Sequence, residues 1–178
     1  MGASHYFYVS ADGMLHTADT AVEAKSLVQS GGFFWLHYLD PSADDLVPLI
    51  QLLGLHALSV EDALDKNSIP KIDIFPDTTL VLINAFTYQN KKLQVHEINL
   101  ILGEGFLVSV DRTGPDGRPL LDGIAETAVS ALANEHVHPA YIMHAILDSI
   151  VDQKLIAIEQ IEDELSQAED ALFERPAD

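Results

Sequence analysis

The sequence predicts an α/β fold: an αβα sandwich with a mixed, largely antiparallel sheet flanked by helices, plus a long C-terminal amphipathic helix. Three observations lead to this prediction. Segments rich in Val, Ile, Leu, Phe and Tyr crowd together between residues 71 and 111. Helical segments lie on both sides of this block in the chain. A regular apolar spacing then runs from about Ala140 almost to the last residue.

The central block predicts strands joined by hairpins. Short, turn-rich links, PDT, QNKK and GEG, separate its apolar runs, and such links join antiparallel neighbours. We therefore expect strands near residues 79–88, 92–102 and 105–111 to lie side by side. The runs themselves are KIDIF, TLVLINAFTY, KLQVHEINLIL and FLVSVD.

The segments around this block predict further strands and helices. Ser42, with Asp45 three residues later, is typical of a helix N-cap, and Gly54 of a helix end. The predicted strands are His5–Ser10 and Phe33–Leu39, and the predicted helices are Thr20–Ser30, Ser42–Leu53, His56–Leu64 and Pro119–Asn134.

The last predicted helix has two distinct sides. One carries apolar residues at alternating spacings of three and four, as in a coiled-coil seam, and the other carries an acidic ridge. The seam includes Leu147, Val151, Ile158, Ile161, Leu165 and Leu172, and the ridge Asp148, Asp152, Glu159, Asp163 and Asp170. We accordingly divide the chain into an α/β domain at 1–138 and an amphipathic helix at 139–178.

Charge and composition exclude several classes of protein. The chain has 28 acidic and 9 basic residues, and its net charge of −19 disfavours binding to nucleic acid or anionic lipid. There is no cysteine, so disulfides and thiolate metal sites are excluded, which suits a cytosolic compartment. The most apolar run, Leu80–Phe86, is far shorter than the roughly 20 residues that span a bilayer.

No pattern in the sequence indicates an enzyme. Phosphate-binding, nucleophile-elbow and zinc-protease motifs are all missing. His136 and His138, with His144 nearby, could together bind zinc, but an H-x-H loop without further ligands is commonplace. We therefore expect no catalytic function.

Three carboxylates within five residues are the more informative feature. Glu61, Asp62 and Asp65 lie on one short predicted helix, where Glu61 and Asp65 share a face. They form either a solvated helix face or a seat for a divalent cation. Because Mg2+ keeps most of its water ligands, one or two protein carboxylates suffice to bind it. The residues alone leave both interpretations open.

Two segments resemble the cytosolic domain of the CorA family of magnesium and cobalt transporters. The first combines Trp35 and Pro41 at the family's spacing, then GLHALSVEDAL at 54–64 and Pro-Lys-Ile at 70–72. The second, residues 140–176, resembles the helix that approaches the family's stalk. The resemblance implies a truncated soluble domain, because the family's GMN pore signature, its membrane helices and its long stalk helix are not in this sequence.

The resemblance also implies metal-binding residues. The matching positions for a regulatory Mg2+ between neighbouring subunits are Glu61 and Asp62, together with Asp148 and, one turn on, Asp152. The family's complementary stalk carboxylate has no counterpart here, so binding by this chain should be weak. Ser68-Ile69 stands where relatives often have Gln-Arg, which leaves any contact of that arginine in doubt.

The resemblance implies that the chain is the regulatory domain of a divalent cation (Mg2+/Co2+) transporter at the cytoplasmic face of the inner membrane. Its partners would be its own stalk and transmembrane region in a homo-pentamer, while the isolated domain would be a monomer or weak oligomer. Two alternatives stay open. One is the cytosolic domain of a ZntB-like zinc transporter, an alternative that the eight histidines of the sequence leave open. The other is a stand-alone acidic, metal-dependent soluble protein.

Overall fold

A seven-stranded mixed sheet forms the centre of the structure. The computed structural model describes residues 4–10, 13–28, 31–65, 68–113, 121 and 138–173. The strands are β1 (Ser4–Val9), β2 (Leu15–Ala18), β3 (Phe33–Leu39), β4 (Lys71–Ile74), β5 (Thr78–Gln89), β6 (Lys92–Gly103) and β7 (Phe106–Asp111). The helices are α1 (Ala21–Leu27), α2 (Ala43–Leu53), α3 (Ala57–Leu64) and α4 (Pro139–Phe173). The helix predicted at 119–134 lies outside the described residues.

The order of strands across the sheet is β2-β1-β3-β7-β6-β5-β4. The hairpins β4–β5, β5–β6 and β6–β7 are antiparallel, as their short connections predicted. β3 instead pairs in parallel with β7, with Trp35 opposite Leu107. This pairing joins the N-terminal strands to the hairpin block and makes the sheet mixed, so the predicted fold class is confirmed.

Alternate residues of each strand enter two separate cores, because successive side chains of a strand point to opposite faces. In β3, Phe33 and Trp35 belong to one core, whereas Phe34 and Leu36 belong to the other. Helices α1, α2 and α3 cover the second core, and α4 covers the first. The sheet therefore carries helices on both faces.

The first half of α4 packs on the sheet along a narrow stripe. Its fully buried residues Ile142, Ile146 and Ile150 contact the core that contains Trp35, and Ala157 continues the same side of the helix. The predicted seam lies beside this stripe: its first residue, Leu147, still packs against the same core, whereas Val151, Ile158 and Leu165 are exposed. The helix thus has two apolar stripes, of which the sheet covers one.

Local signals fix the ends of α2 as the sequence predicted. The backbone N–H and the hydroxyl of Ser42 both donate to the carboxylate of Asp45, at 2.8 and 2.7 Å. These hydrogen bonds lower the pKa of Asp45. At the other end, Gly54 has a φ of 70°, the left-handed conformation that a glycine adopts without strain.

Candidate divalent cation site

The first two candidate carboxylates lie in the last turn of α3. His56 is the N-cap residue of this helix, and its ring nitrogen accepts a hydrogen bond from the N–H of Leu58. The ring also stacks on Phe75, with 4.5 Å between the ring centroids. Val60 and Ala63 are buried against the sheet. Because neighbouring residues of a helix point about 100° apart, Glu61 is left exposed and Asp62 half-buried.

Asp62 already has a cationic partner within the chain. The Nζ of Lys71 in β4 lies 2.8 Å from a carboxylate oxygen of Asp62 and 2.9 Å from one of Asp73. Hydrogen bonds to these two carboxylates raise the pKa of Lys71. In the sequence, Lys71 stands out only as part of the Pro-Lys-Ile motif. The alternation of Lys71 and Asp73 on one side of a predicted strand indicates the pair within β4 but not the contact with Asp62.

The other two candidates lie on α4. Asp148 and Asp152 are both exposed, one helical turn apart, on the side of the helix away from the buried isoleucines. Their neighbour Lys154 lies instead over the ring of Phe86, 5.3 Å from its centroid. This pair of carboxylates therefore faces away from the sheet.

The structure separates the two pairs of carboxylates. α3 belongs to one core and α4 to the other, so Glu61 and Asp62 lie across the sheet from Asp148 and Asp152. Over the described ranges, no three His, Asp or Glu side chains converge in a way that could hold a metal ion. Within one chain the four candidate carboxylates thus form two separated pairs.

The histidines have other roles. His138 accepts from the N–H of Ala140 at the start of α4, and His136 lies outside the described residues. His96 contacts the hydroxyl of Thr87 at 3.0 Å. In the part of the chain that the structure describes, these histidines and the helix-capping His56 do not come together as a zinc site.

A buried polar chain crosses from β3 to β7. Trp35 Nε1 donates to Ser109 Oγ at 2.8 Å, and Ser109 Oγ lies 2.9 Å from His37 Nδ1. Burial, with a smaller contribution from the charge of His5, lowers the pKa of His37 to about 4. Because Ser109 is fully buried, this serine–histidine pair is closed to substrates and serves the core.

Two surface clefts lie away from the candidate carboxylates. One, of about 200 Å3, lies between the β5–β6 hairpin and α4 and is lined in part by Phe86, Gln153 and Ile156. The other, of about 470 Å3, lies beside Gly54 and Phe106. Neither contains Glu61, Asp62, Asp148 or Asp152.

The fold is shared with solved structures of CmaX, CorA and ZntB. The chain superposes on the full-length CmaX protein with a TM-score of 0.75, at 14% identity, over 99% of this chain and 54% of that one. It superposes on the soluble domain of CorA from Methanocaldococcus jannaschii with a TM-score of 0.69, at 17% identity (96% and 64% covered). For the ZntB cytoplasmic domain from Vibrio parahaemolyticus the values are 0.65 and 17% (94% and 65% covered).

Sequence comparison identifies the family. The profile described as CorA-like Mg2+ transporter protein matches residues 30–178, and the chain belongs to this family. It is 24% identical over 146 residues to the cobalt/magnesium transport protein CorA of Thermotoga maritima, covering 80% of this chain and 41% of that protein. It is 23% identical over 142 residues to the putative metal ion transporter YfjQ of Bacillus subtilis, covering 78% and 42%.

The chain thus spans about two fifths of the length of these curated relatives. Among the residues that the structure describes, no helix is at once long enough and apolar enough to cross a bilayer.

Proposed function

We propose that this chain is the regulatory domain of a CorA-like divalent cation transporter and senses Mg2+ through carboxylates at subunit contacts. It works at the cytoplasmic face of the membrane, attached to a stalk and transmembrane region in a homo-pentamer. Glu61 and Asp62 form one half of the sensing site and Asp148 and Asp152 another. The domain has no catalytic role, and the relatives it matches are named as transport proteins.

The separation of the carboxylate pairs carries this proposal. A pair on each side of the sheet cannot meet within one chain. Copies arranged around an axis can, however, bring the α3 side of one subunit towards the α4 side or the stalk of its neighbour. A cation bound there would offset the repulsion between two acidic surfaces, and its loss would let the subunits separate.

The donors suit Mg2+. All four candidate side chains are carboxylates, and Mg2+ binds through one or two carboxylates while retaining water. The half-buried Asp62 already holds one cation, the ammonium group of Lys71. A divalent cation at Asp62 would share this carboxylate with the ammonium group of Lys71 or displace it.

The same donors favour Mg2+ over Zn2+ as the sensed ion. Zinc sites in proteins use histidine nitrogen or cysteine sulfur in most cases. This sequence has no cysteine, and the described histidines are dispersed. The fold shared with the ZntB cytoplasmic domain makes zinc the second candidate, which the uptake assay below can test directly.

The experiment uses the full-length transporter in vesicles. Transport is measured while Mg2+ on the cytoplasmic side is raised, in the parent and in Asp62→Ala combined with Asp148→Ala. The double variant should stay active at Mg2+ concentrations that shut the parent. A coupling of about 1–3 kcal/mol per site is the usual scale for such linkage, or about 5- to 150-fold in affinity.

Asp44→Ala combined with Asp163→Ala is the matched control, since it removes two exposed carboxylates from α2 and α4 and changes the net charge equally. Transport by this control variant should stop at the same Mg2+ concentration as transport by the parent. If the Asp62/Asp148 variant also closes at the parent's concentration, the four carboxylates are a solvated surface and the sensing role is wrong. Repeating the uptake with Co2+ and Zn2+ identifies the cargo independently.

A further inference from the structure

The edge strand β4 exposes two apolar side chains. β4 pairs with β5 on one side, and no described strand lies on its other side. Ile72 and Ile74 are 66% and 82% exposed. An exposed apolar edge is a template for pairing with another chain, which proteins usually avoid.

The hydrogen bonding of β4 determines which backbone groups are open. The N–H of Phe75 donates to the carbonyl of Thr78 in β5 at 2.8 Å. Because inward and outward residues alternate along an antiparallel edge strand, Lys71 and Asp73 also direct their backbone groups to β5. Ile72 and Ile74 therefore direct theirs outwards.

We infer that β4 is a self-association edge, at which a second copy of this chain adds its own β4 in antiparallel orientation. The register is centred on Ile72. It places Ile72 opposite Ile72 of the second copy, and it places Lys71 opposite the second copy's Asp73, and the reverse. The two Ile72 residues can then exchange both of their backbone hydrogen bonds.

Charge complementarity selects this partner and this register. Lys71 and Asp73 lie on the same face of the strand, the face towards α3. The pairing therefore places Lys71 opposite Asp73 of the other copy twice, and opposite charges directly across a strand pair are favourable. A register centred on Asp73 would instead place two carboxylates directly opposite each other, which is unfavourable.

The pairing closes at two copies. Each chain has one β4, and a two-fold axis makes the same surface meet itself. Pro70 immediately precedes β4 and lacks an N–H, so it cannot donate to Ile74 of the second copy, which lies opposite it in this register, and the ladder ends there. Because only a four-residue strand is paired and each copy carries a net charge of −19, the dimer is weak.

The test measures the association of this chain by sedimentation equilibrium from micromolar to millimolar concentration. The buffer contains EDTA and about 0.15 M salt, which screens long-range repulsion. The parent should form a dimer without metal. The Asp73→Lys variant and the Lys71→Asp variant should each associate at least about tenfold more weakly, a difference of about 1.4 kcal/mol.

Mixing the two variants is the decisive measurement. In the Ile72-centred register, a mixed pair restores opposite charges at both cross-strand positions, so the mixture should dimerise as the parent does. The control is Asp19→Lys, which makes the same change in net charge at an exposed position beyond β2. It should not weaken the dimer. Near-ultraviolet circular dichroism from the buried Trp35 checks that each variant is folded.

Several results would overturn the inference. A parent that stays monomeric at every concentration excludes the pairing. A dimer that resists both charge variants excludes β4 as its interface. A dimer that is lost instead with Leu165→Glu, on the exposed stripe of α4, assigns the contact to that helix. Since EDTA is present throughout, none of these results depends on the proposed sensing of Mg2+.

Discussion

Lys71 and Asp62 form an ion pair, at 2.8 Å, between the edge strand β4 and the last turn of α3. The ammonium group of Lys71 is thus bonded to the Asp62 carboxylate, which is proposed to bind a divalent cation. Since a second cation must share or displace it, Lys71 acts as a built-in competitor for that carboxylate.

Lys71→Met should therefore strengthen the binding of Mg2+ at Asp62. Because exposed ion pairs are weak, the gain in affinity should be at most about fivefold. Titration of the isolated chain with Mg2+, followed by the NMR signals of α3, measures it. Affinities should be millimolar or weaker, because each chain has only half of a site.

Lys92→Met is the control for that change, since it removes one positive charge from the exposed β5–β6 turn. It should leave the affinity at α3 unchanged. Equal affinities for the parent and the Lys71→Met variant would mean that Asp62 does not bind the ion.

The buried His37 should make the fold sensitive to acid. Its pKa is about 4 in the folded chain and near 6.5 when exposed. As the pH falls below about 6.5, the unfolded state binds a proton at this residue while the folded state does not, so stability is lost until about pH 4. The loss amounts to about 3 kcal/mol at 1.36 kcal/mol per pKa unit.

His37→Gln should flatten this part of the stability profile, measured as the free energy of unfolding in urea between pH 7 and pH 4. His144→Gln, which changes an exposed histidine on α4, should keep the parent's slope. Parallel profiles for the parent and both variants would rule out a contribution from His37.

Two isoleucines of α4 should differ sharply in their importance for stability. Ile146 is 0% exposed against the sheet, whereas Ile158 is 47% exposed on the other stripe. Ile146→Ala should lower the free energy of unfolding by about 2–5 kcal/mol, and Ile158→Ala by much less. Denaturant unfolding of both variants checks this. Equal losses would mean that α4 does not pack on the sheet as described.

Gly54 should be hard to replace for purely conformational reasons. A methyl group there would meet no atom within 4 Å, yet the φ of 70° is one that side chains rarely adopt. Gly54→Ala should cost about 1–2 kcal/mol. Gly105→Ala also enters open space, but without a positive φ, and should cost less. Thermal unfolding of the two variants compares them, and a reversed order would contradict the prediction.

Local features of the sequence predicted the elements that depend on local interactions. The hairpin turns placed β5, β6 and β7 side by side, and the Ser42–Asp45 pair marked the start of α2. Strand β2 was missed, because its four residues, LHTA, have too little alternating hydrophobicity. The parallel pairing of β3 with β7 joins residues far apart in sequence, which no local pattern encodes.

The resemblance supplied Glu61, Asp62, Asp148 and Asp152, and the structure assigns them to opposite faces of the sheet. The ion pair of Lys71 could not be predicted, because it depends on how β4 lies beside α3. The spacing of apolar residues did not separate the two stripes of α4, and only their contacts with the sheet distinguish them.

Helix α4 extends well beyond the part that packs on the sheet. Its 35 residues extend about 52 Å at 1.5 Å per residue, and its buried contacts end at Ala157. Farther along, the hydroxyl of Tyr88 donates to Glu164 at 3.1 Å and braces the helix against the β5–β6 hairpin. From Ala157 to Phe173 is about 24 Å of helix, so a tilt of about 5° displaces the far end by about 2 Å. A given tilt of the helix would therefore displace Phe173 farther than any residue in the part that packs on the sheet.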